Sequence, residues 1–309
     1  MTMIDELVPQ PESSSTRDAI RRTAHAHRAR RVAISRVMMI LCGVALVLTA
    51  IPLVLLLVQL VTRGSSQLNA TFFTKLPQSP SLSDPYAIGG VSNSIIGTIA
   101  LTTYASIMAI PVGVLTGVYL AESRSKLAAT LRVIAQTMAG APSILMGLFG
   151  FTLLVKYFQI GFTAIAGSFA LAVLMLPVIA ISTEISVRNV PDTLREAGLA
   201  LGAKPHKVSL KVVIPSALTG IVTGCILAVA RAIGETAPVL LTIGGGYLNE
   251  WRPLNPVSAL PLSIYTNAKA QWPSQRAQVW GIALVLVAFV FVLSLTARIW
   301  ASRKQKRNS

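Results

Sequence analysis

The sequence is poor in charged side chains, above all in acidic ones. Only 12% of the 309 residues are charged and 11 of them are Asp or Glu, whereas 53% are hydrophobic and the mean hydropathy is +0.66. Soluble domains carry about 25% charged residues on average. The shortage excludes a water-soluble enzyme, a disordered protein and a water-facing binding module, and it indicates a protein whose main solvent is a lipid bilayer.

Residues that build catalytic and metal sites are also scarce. The chain has two cysteines, Cys42 and Cys225, each within an apolar run, and three histidines. Two cysteines make neither a disulfide framework nor a zinc site. The phosphate loop G-x-x-x-x-G-K-[ST] is missing from the sequence, as are H-E-x-x-H and G-x-S-x-G. We therefore predict that the chain is not an enzyme and holds no metal or cofactor.

Long uncharged runs dominate what the sequence does contain. A helix needs about 20 mostly apolar residues to cross the hydrocarbon core of a membrane. Six runs meet this length and predict an all-α polytopic membrane protein with six transmembrane helices. The runs cover residues 37–61, 91–120, 133–155, 157–183, 216–243 and 277–297, and the fifth of them is uncharged except for Arg231 and Glu235. Glycines spaced G-x-x-x-G, at Gly113 and Gly117 and at Gly220 and Gly224, fit close packing between these helices.

Lysine and arginine are divided unequally between the two sides of these spans. Twenty of the 27 lie in the two termini and in the second and fourth connections, and six lie in the other connections. Cytoplasmic segments are the ones enriched in Lys and Arg. Both termini are therefore predicted to be cytoplasmic. The net charge of +16 is then a topology signal at the membrane surface and does not indicate binding to nucleic acid.

This topology divides the chain into three parts. Residues 1–36 are expected to form a disordered basic cytoplasmic tail that contacts anionic membrane lipid. Residues 37–300 are expected to form the six-helix transmembrane domain, and residues 301–309 a second basic tail. Within that domain, loop 183–215 is cytoplasmic, and loops 63–90 and 244–278 lie outside.

The cytoplasmic loop has the pattern of a short docking helix. Thr193 and Glu196 have the T-x-x-E spacing of a capping box. Gly202 is expected to end the helix, and Pro205 can begin another. An apolar stripe at helical spacing is formed by Leu194, Ala197 and Leu201. A helix of about nine residues is marginal alone in water, so it packs either in a partner's groove or on the chain's own bundle.

The same loop resembles the EAA loop of permeases from ABC importers. The residues that carry the resemblance are Glu196, Ala197, Gly198, Gly202 and Pro215. Their spacing matches the pattern throughout, and Gly198 stands where the pattern has a second alanine. The resemblance implies a type I importer permease architecture, in which this loop docks on a separate ATPase subunit and transmits its closure to the membrane helices.

A charged pair interrupts the fifth apolar run. Arg231 and Glu235 are four residues apart, which places them on one face of a helix. Charged residues within a membrane are costly and face the interior of a bundle with a partner. The pair is either a structural ion pair between helices or a polar patch on a solute path. A guanidinium fork suits a tetrahedral oxyanion, which makes an anion path plausible.

The residues around this pair read A-R-A-I-G-E-T-A-P, from Ala230 to Pro238. This stretch resembles the signature of a membrane subunit of bacterial phosphate ABC importers, in the cytoplasmic (inner) membrane. The resemblance implies that Arg231, Glu235 and Thr236 line or gate the path of inorganic phosphate. It also implies three partners: a second permease subunit, an ATPase dimer and an external phosphate-binding protein. The alternatives are a permease for sulfate or molybdate, and a sensor or scaffold that transports nothing.

Overall fold

The computed structural model describes the backbone of residues 14–84, 86 and 88–308. It describes the surroundings of the side chains for residues 31–32, 34–84, 86, 88–296 and 299. The chain forms two compact units, Met1–Gln59 and Leu60–Ser309. Within the first, helix α1 (Ser14–Ser65) begins inside the segment expected to be a disordered tail. That expectation is therefore wrong from Ser14 onwards, because the basic stretch continues the first span as helix. Residues 1–13 lie outside the described residues.

The second unit is built from helices and their connections. In chain order its helices are α2 (Ala70–Thr74), α3 (Ser92–Glu122), α4 (Lys126–Ala139), α5 (Ser143–Gly150) with a π-helical extension (Phe151–Tyr157), α6 (Ala164–Arg188), α7 (Asp192–Ala200), α8 (Pro205–Val208) with a π-helical extension (Ser209–Val213), α9 (Ile214–Ile233), α10 (Ala237–Thr242), α11 (Leu260–Ala268) and α12 (Pro273–Asn308). Within the described residues, β pairing is limited to one isolated bridge between Gly244 and Val257.

The membrane spans agree with the predicted number when a bent pair is counted as one. Five helices of the described residues are long and apolar enough to cross a membrane, and α4 with α5 and its extension makes a sixth. That pair bends by 105°. The predicted span over 133–155 is therefore not one continuous helix. Gly140 and Pro142 stand at the bend, and the residue before a proline is disfavoured in helical conformation.

The fifth predicted span is also interrupted. Helix α9 ends at Ile233 and α10 begins at Ala237, so one helix over 216–243 is not formed. Pro238 occupies the first turn of α10, where its missing N–H costs no hydrogen bond. We call residues 234–236 the helix break.

The core lies where α3, α6 and α9 pack with little between their backbones. A Cβ on Gly117 of α3 would lie 2.5 Å from Thr183 Cβ of α6. A Cβ on Gly224 of α9 would lie 2.4 Å from Ser182 Cβ, on α6 as well. Only glycine permits this approach. The close packing predicted from the two G-x-x-x-G pairs is confirmed for both.

Hydrogen bonds identify what each end of α3 contacts. At its start, Asn93 Nδ2 donates to Gly246 O over 2.8 Å, and Ser94 Oγ lies 2.6 Å from Ser263 Oγ of α11. At its last residue, Glu122 pairs with Arg195 of α7. We refer to these as the α11 end and the α7 end of the bundle.

Candidate functional site

The charged pair lies at the helix break. Arg231 is in the last turn of α9, where a cation complements the negative end of the helix dipole. Its Nε lies 3.4 Å from Glu235 Oε1. The Arg231 side chain is 47% exposed and that of Glu235 is 17% exposed. The expected pairing is present, but Arg231 is not enclosed within this chain. Thr236 is the half-buried N-cap residue of α10, and its side chain makes no capping hydrogen bond.

Glu235 borders a small space beside α3. Together with Thr98 and Thr102, it lines a space of about 10 Å³. That volume is close to what a single water requires, so an oxyanion does not fit in this conformation.

A larger cavity lies at the α11 end. Its volume is about 410 Å³, and it lies against the glycine turn 244–246. The side chains that line it are uncharged, and the polar ones include Asn93, Ser258, Asn267 and Gln278. Ser258, at its wall, has its Oγ 3.0 Å from Ser94 Oγ. This cavity offers hydrogen bonds without a fixed charge.

Residues of the predicted coupling loop lie at the α7 end. Glu196, Ala197 and Gly198 are on α7, and Gly198 packs on Val208, whose Cγ1 would lie 3.1 Å from an added Cβ. Gly202 ends the helix region with φ +77°, as expected of a helix stop. Pro215 is in the first turn of α9, on the helix that carries Arg231 at its other end.

The expected capping box does not form. Helix α7 begins at Asp192, with Pro191 before it and no side chain capping the first turn. Thr193 therefore lies inside the helix. Asp192 supplies negative charge to the first turn instead, which the helix dipole favours.

An ionic cluster at the α7 end was not predicted. The buried carboxylate of Glu184 on α6 lies 2.7 Å from Arg132 Nε on α4 and 3.0 Å from Arg188 Nη2. Both arginines also donate to the carbonyl of Leu120, near the end of α3. The cluster thus joins three helices. The i,i+4 spacing of Glu184 and Arg188 was a visible signal, but the approach of Arg132 is a tertiary contact that spacing does not show.

Comparisons with known proteins identify the family to which this chain belongs. A family model described as "Binding-protein-dependent transport system inner membrane component" matches residues 109–307. A "Phosphate transport system permease protein PstA" of Xylella fastidiosa is 35% identical over 241 residues, which cover 77% of this chain and 82% of that protein. "Phosphate transport system permease protein PstA 1" of Mycobacterium tuberculosis is 35% identical over 265 residues, with coverage of 84% and 86%. The chain belongs to the PstA family of permease proteins.

A solved structure agrees with this permease in fold. The structure titled "Inward facing conformations of the MetNI methionine ABC transporter" has a TM-score of 0.55 at 22% identity, covering 68% of this chain and 94% of that one. At this identity the likeness concerns the fold alone. The permease is thus an all-α, multi-span membrane protein with the architecture of a type I ABC importer subunit.

One loop of the permease depends on a single carboxylate. Glu250 Oε1 accepts hydrogen bonds from the backbone N–H groups of Trp251 and Arg252, and its Oε2 accepts one from Asn255 Nδ2 over 2.7 Å. The turn so formed directs the carbonyls of Pro253 and Asn255 at the first N–H groups of α6. It therefore supplies acceptors that the start of a helix lacks.

Acidification is expected to release this turn. The N–H of Arg252, followed by the Asn255 amide, lowers the pKa of Glu250 below its ordinary value. Because the folded pKa is depressed, the stabilisation is fully present above the ordinary carboxyl pKa and is lost as pH falls through the lower, folded value. Amide hydrogen exchange of residues 247–257, corrected for intrinsic rates, should accelerate only in that acidic range. A Glu250→Gln variant should exchange fast both above and below that acidic range. If its exchange accelerates on acidification as much as that of the wild type, Glu250 is not the cause.

Proposed function

We propose that this permease moves inorganic phosphate across the cytoplasmic membrane by alternating access, driven by a separate ATPase. The names of the relatives support the substrate. The single observation that carries the proposal is the pair of Arg231 and Glu235 at the helix break, because it places an arginine fork beside a carboxylate that can hold it. A guanidinium binds a tetrahedral oxyanion through two parallel hydrogen bonds.

The pair suits a switch better than a permanent lock. An ion pair this exposed is worth only about 0–1 kcal/mol. While the ion pair is formed, the guanidinium of Arg231 is bound to Glu235, and the charge of Glu235 repels an approaching anion. When the helices on either side of the break separate, Arg231 becomes free to contact phosphate for a short time. Weak, transient contact is what passage requires, since a tight site would retain the anion.

The two ends of the bundle are assigned from the distribution of basic residues. Under this assignment the α7 end and both termini are cytoplasmic, and loops 63–90 and 244–278 are external. The cavity of about 410 Å³ then opens towards the outside, where an external phosphate-binding protein would deliver the anion. A second permease subunit would complete the path around the exposed side of Arg231.

The α7 end would receive the ATPase dimer. Helix α7 buries none of its residues, and Leu201 just after it is 89% exposed. The apolar stripe therefore does not pack on the chain's own bundle, and this supports its insertion into a partner's groove. The residues proposed for coupling are Glu196, Ala197, Gly198, Gly202 and Pro215.

Coupling through this loop predicts a strong effect at Gly202. Its φ of +77° costs about 1–2 kcal/mol for a residue with a side chain, and no atom lies within 4 Å of an added Cβ. Gly202→Val is therefore expected to turn α8 relative to α7 and to lower ATP-driven phosphate uptake about tenfold. Uptake is measured in proteoliposomes that contain the permease with its partner subunits.

Gly161 provides a matched control. It has a φ of +81° and equally open surroundings, but it precedes α6 at the α11 end. Gly161→Val carries the same backbone penalty and should retain most of the uptake. Equal losses in the two variants would show that backbone strain alone explains the effect, and would contradict coupling through this loop.

A further inference from the structure

Arg195 of α7 contacts the ends of two long helices. Its Nη1 lies 2.6 Å from Oε1 of Glu122, the last residue of α3, and its Nη2 donates to Val187 O of α6 over 3.2 Å. The pair with Glu122 is half-buried, with exposed fractions of 23% and 30%. A contact to Asp192 on its own helix is looser, at 3.8 Å. The guanidinium fork therefore connects one short helix to two spans at once.

Apolar contacts do little to fix α7 to these spans. None of its residues is buried, and Gly198 packs on Val208 of the same loop. A short charge-assisted hydrogen bond resists displacement in a way that exposed apolar contacts do not. A push on α7 therefore reaches Glu122 and Val187 through Arg195.

One of the spans reached in this way, α6, packs closely through glycine contacts on α9, the helix that carries the charged pair. A Cβ on Gly220 of α9 would lie 2.5 Å from Ser186 Oγ of α6, one residue before Val187. Farther along the same contact, Gly224 meets Ser182, and on the neighbouring face of α6, about 100° away, Gly117 meets Thr183. Interfaces this tight leave no room for independent sliding. Helices α3, α6 and α9 are thus displaced together, and Arg231 moves with α9.

We propose that Arg195 is a positioning residue that transmits movement of α7 to the helix break. The inference rests on the proposed function, since it assumes that an ATPase moves α7. It extends that function by naming the contact through which the movement enters the spans, whereas the EAA-loop residues Glu196 and Gly202 would act at the ATPase surface and in the loop turn.

The first experiment measures phosphate uptake and ATP hydrolysis in the same proteoliposomes, made from the permease with its partner subunits. Arg195→Ala should keep at least half of the ATP hydrolysis and lower uptake about tenfold, so that less phosphate is moved per ATP. The exchanged pair, Arg195→Glu with Glu122→Arg, should restore much of that ratio. Arg124→Ala removes an exposed arginine beside Glu122 and should leave the ratio unchanged. A proportional loss of both activities in Arg195→Ala, or no loss, would overturn the inference.

A second readout does not depend on the transported anion. A cysteine introduced as Gly234→Cys, with Cys42 and Cys225 replaced by serine, reports access to the helix break through its alkylation rate, since Gly234 is exposed and an added Cβ there meets only Arg231 O, at 3.7 Å. ATP should change this rate in the otherwise unaltered permease and should leave it unchanged when Arg195→Ala is added. If ATP changes the rate equally in both, Arg195 does not transmit the movement. If the rates differ as expected but no phosphate is taken up, the substrate assignment fails and the role of Arg195 stands.

Discussion

Arg231→Ala is expected to reduce ATP-driven phosphate uptake by about 10- to 100-fold while the permease still inserts and assembles. A hydrogen bond to a charged group contributes about 1.5–3 kcal/mol, and about 1.4 kcal/mol corresponds to tenfold in rate. The folded structure should tolerate the change, since the Arg231 side chain is half exposed and its partner Glu235 retains partial access to water. Arg231→Lys keeps the charge but lacks the fork and should give an intermediate loss.

Exchange of the two charges separates the roles that the pair could have. Arg231→Glu with Glu235→Arg preserves an ion pair across the helix break but moves the guanidinium by one turn. If the pair serves only as a structural lock, the exchanged permease should transport normally. If Arg231 contacts the anion, uptake should remain low although assembly is normal. Arg276→Ala, which removes an exposed arginine at the start of α12, is the control for a general loss of positive charge.

The second large effect is expected at Glu184. Its carboxylate is 8% exposed and is shared by Arg132 and Arg188, so Glu184→Gln leaves two guanidinium groups without their common anion. Breaking a buried pair costs up to about 3–5 kcal/mol. Because Arg188 is half exposed and can rotate into water, we expect about 2–3 kcal/mol, or a fall in Tm of about 5–10 °C. Thermal unfolding of the detergent-solubilised permease measures this directly.

Substitutions of the arginines that contact Glu184 should lower the Tm in the order of the burial of these arginines. Arg132→Gln removes the closer and less exposed partner and should destabilise more than Arg188→Gln. Asp192→Asn alters a carboxylate that is 89% exposed and should change Tm by less than about 2 °C. A Glu184→Gln permease that unfolds at the wild-type temperature would show that the cluster does not stabilise the α7 end.

Hydropathy predicted the spans well because it measures whether a segment prefers lipid or water. It does not show where the helix is interrupted within an apolar run. Each break lies within one apolar run: residues 133–155 carry no charge, and residues 216–243 carry only Arg231 and Glu235. Pro142 and Pro238 predict kinks at these positions, because proline acts on the backbone and leaves the hydropathy unchanged, but they do not by themselves predict that the helices are fully interrupted. The Arg-rich tail was expected to be disordered from its composition, and yet α1 begins at Ser14.

The candidate site was predictable where its residues are close in sequence. Arg231 and Glu235 pair as their spacing requires, and Gly202 adopts the left-handed conformation of a helix stop. The contacts of Glu184 with Arg132 and of Arg195 with Glu122 join residues that are far apart along the chain. Such contacts depend on how α3, α4, α6 and α7 converge. Before that convergence is known, the arginines are visible only as members of a basic loop.

Phosphate uptake in cells tests the central claim most directly. Cells that lack this permease and have no other active phosphate importer are starved of phosphate and complemented with the wild-type gene, and labelled phosphate is added with excess sulfate. The account predicts that wild type restores uptake and that sulfate does not compete. Uptake that sulfate or molybdate suppresses would assign a different oxyanion. Uptake that is unchanged by the loss of this chain would contradict a role in phosphate transport and favour a sensor or scaffold.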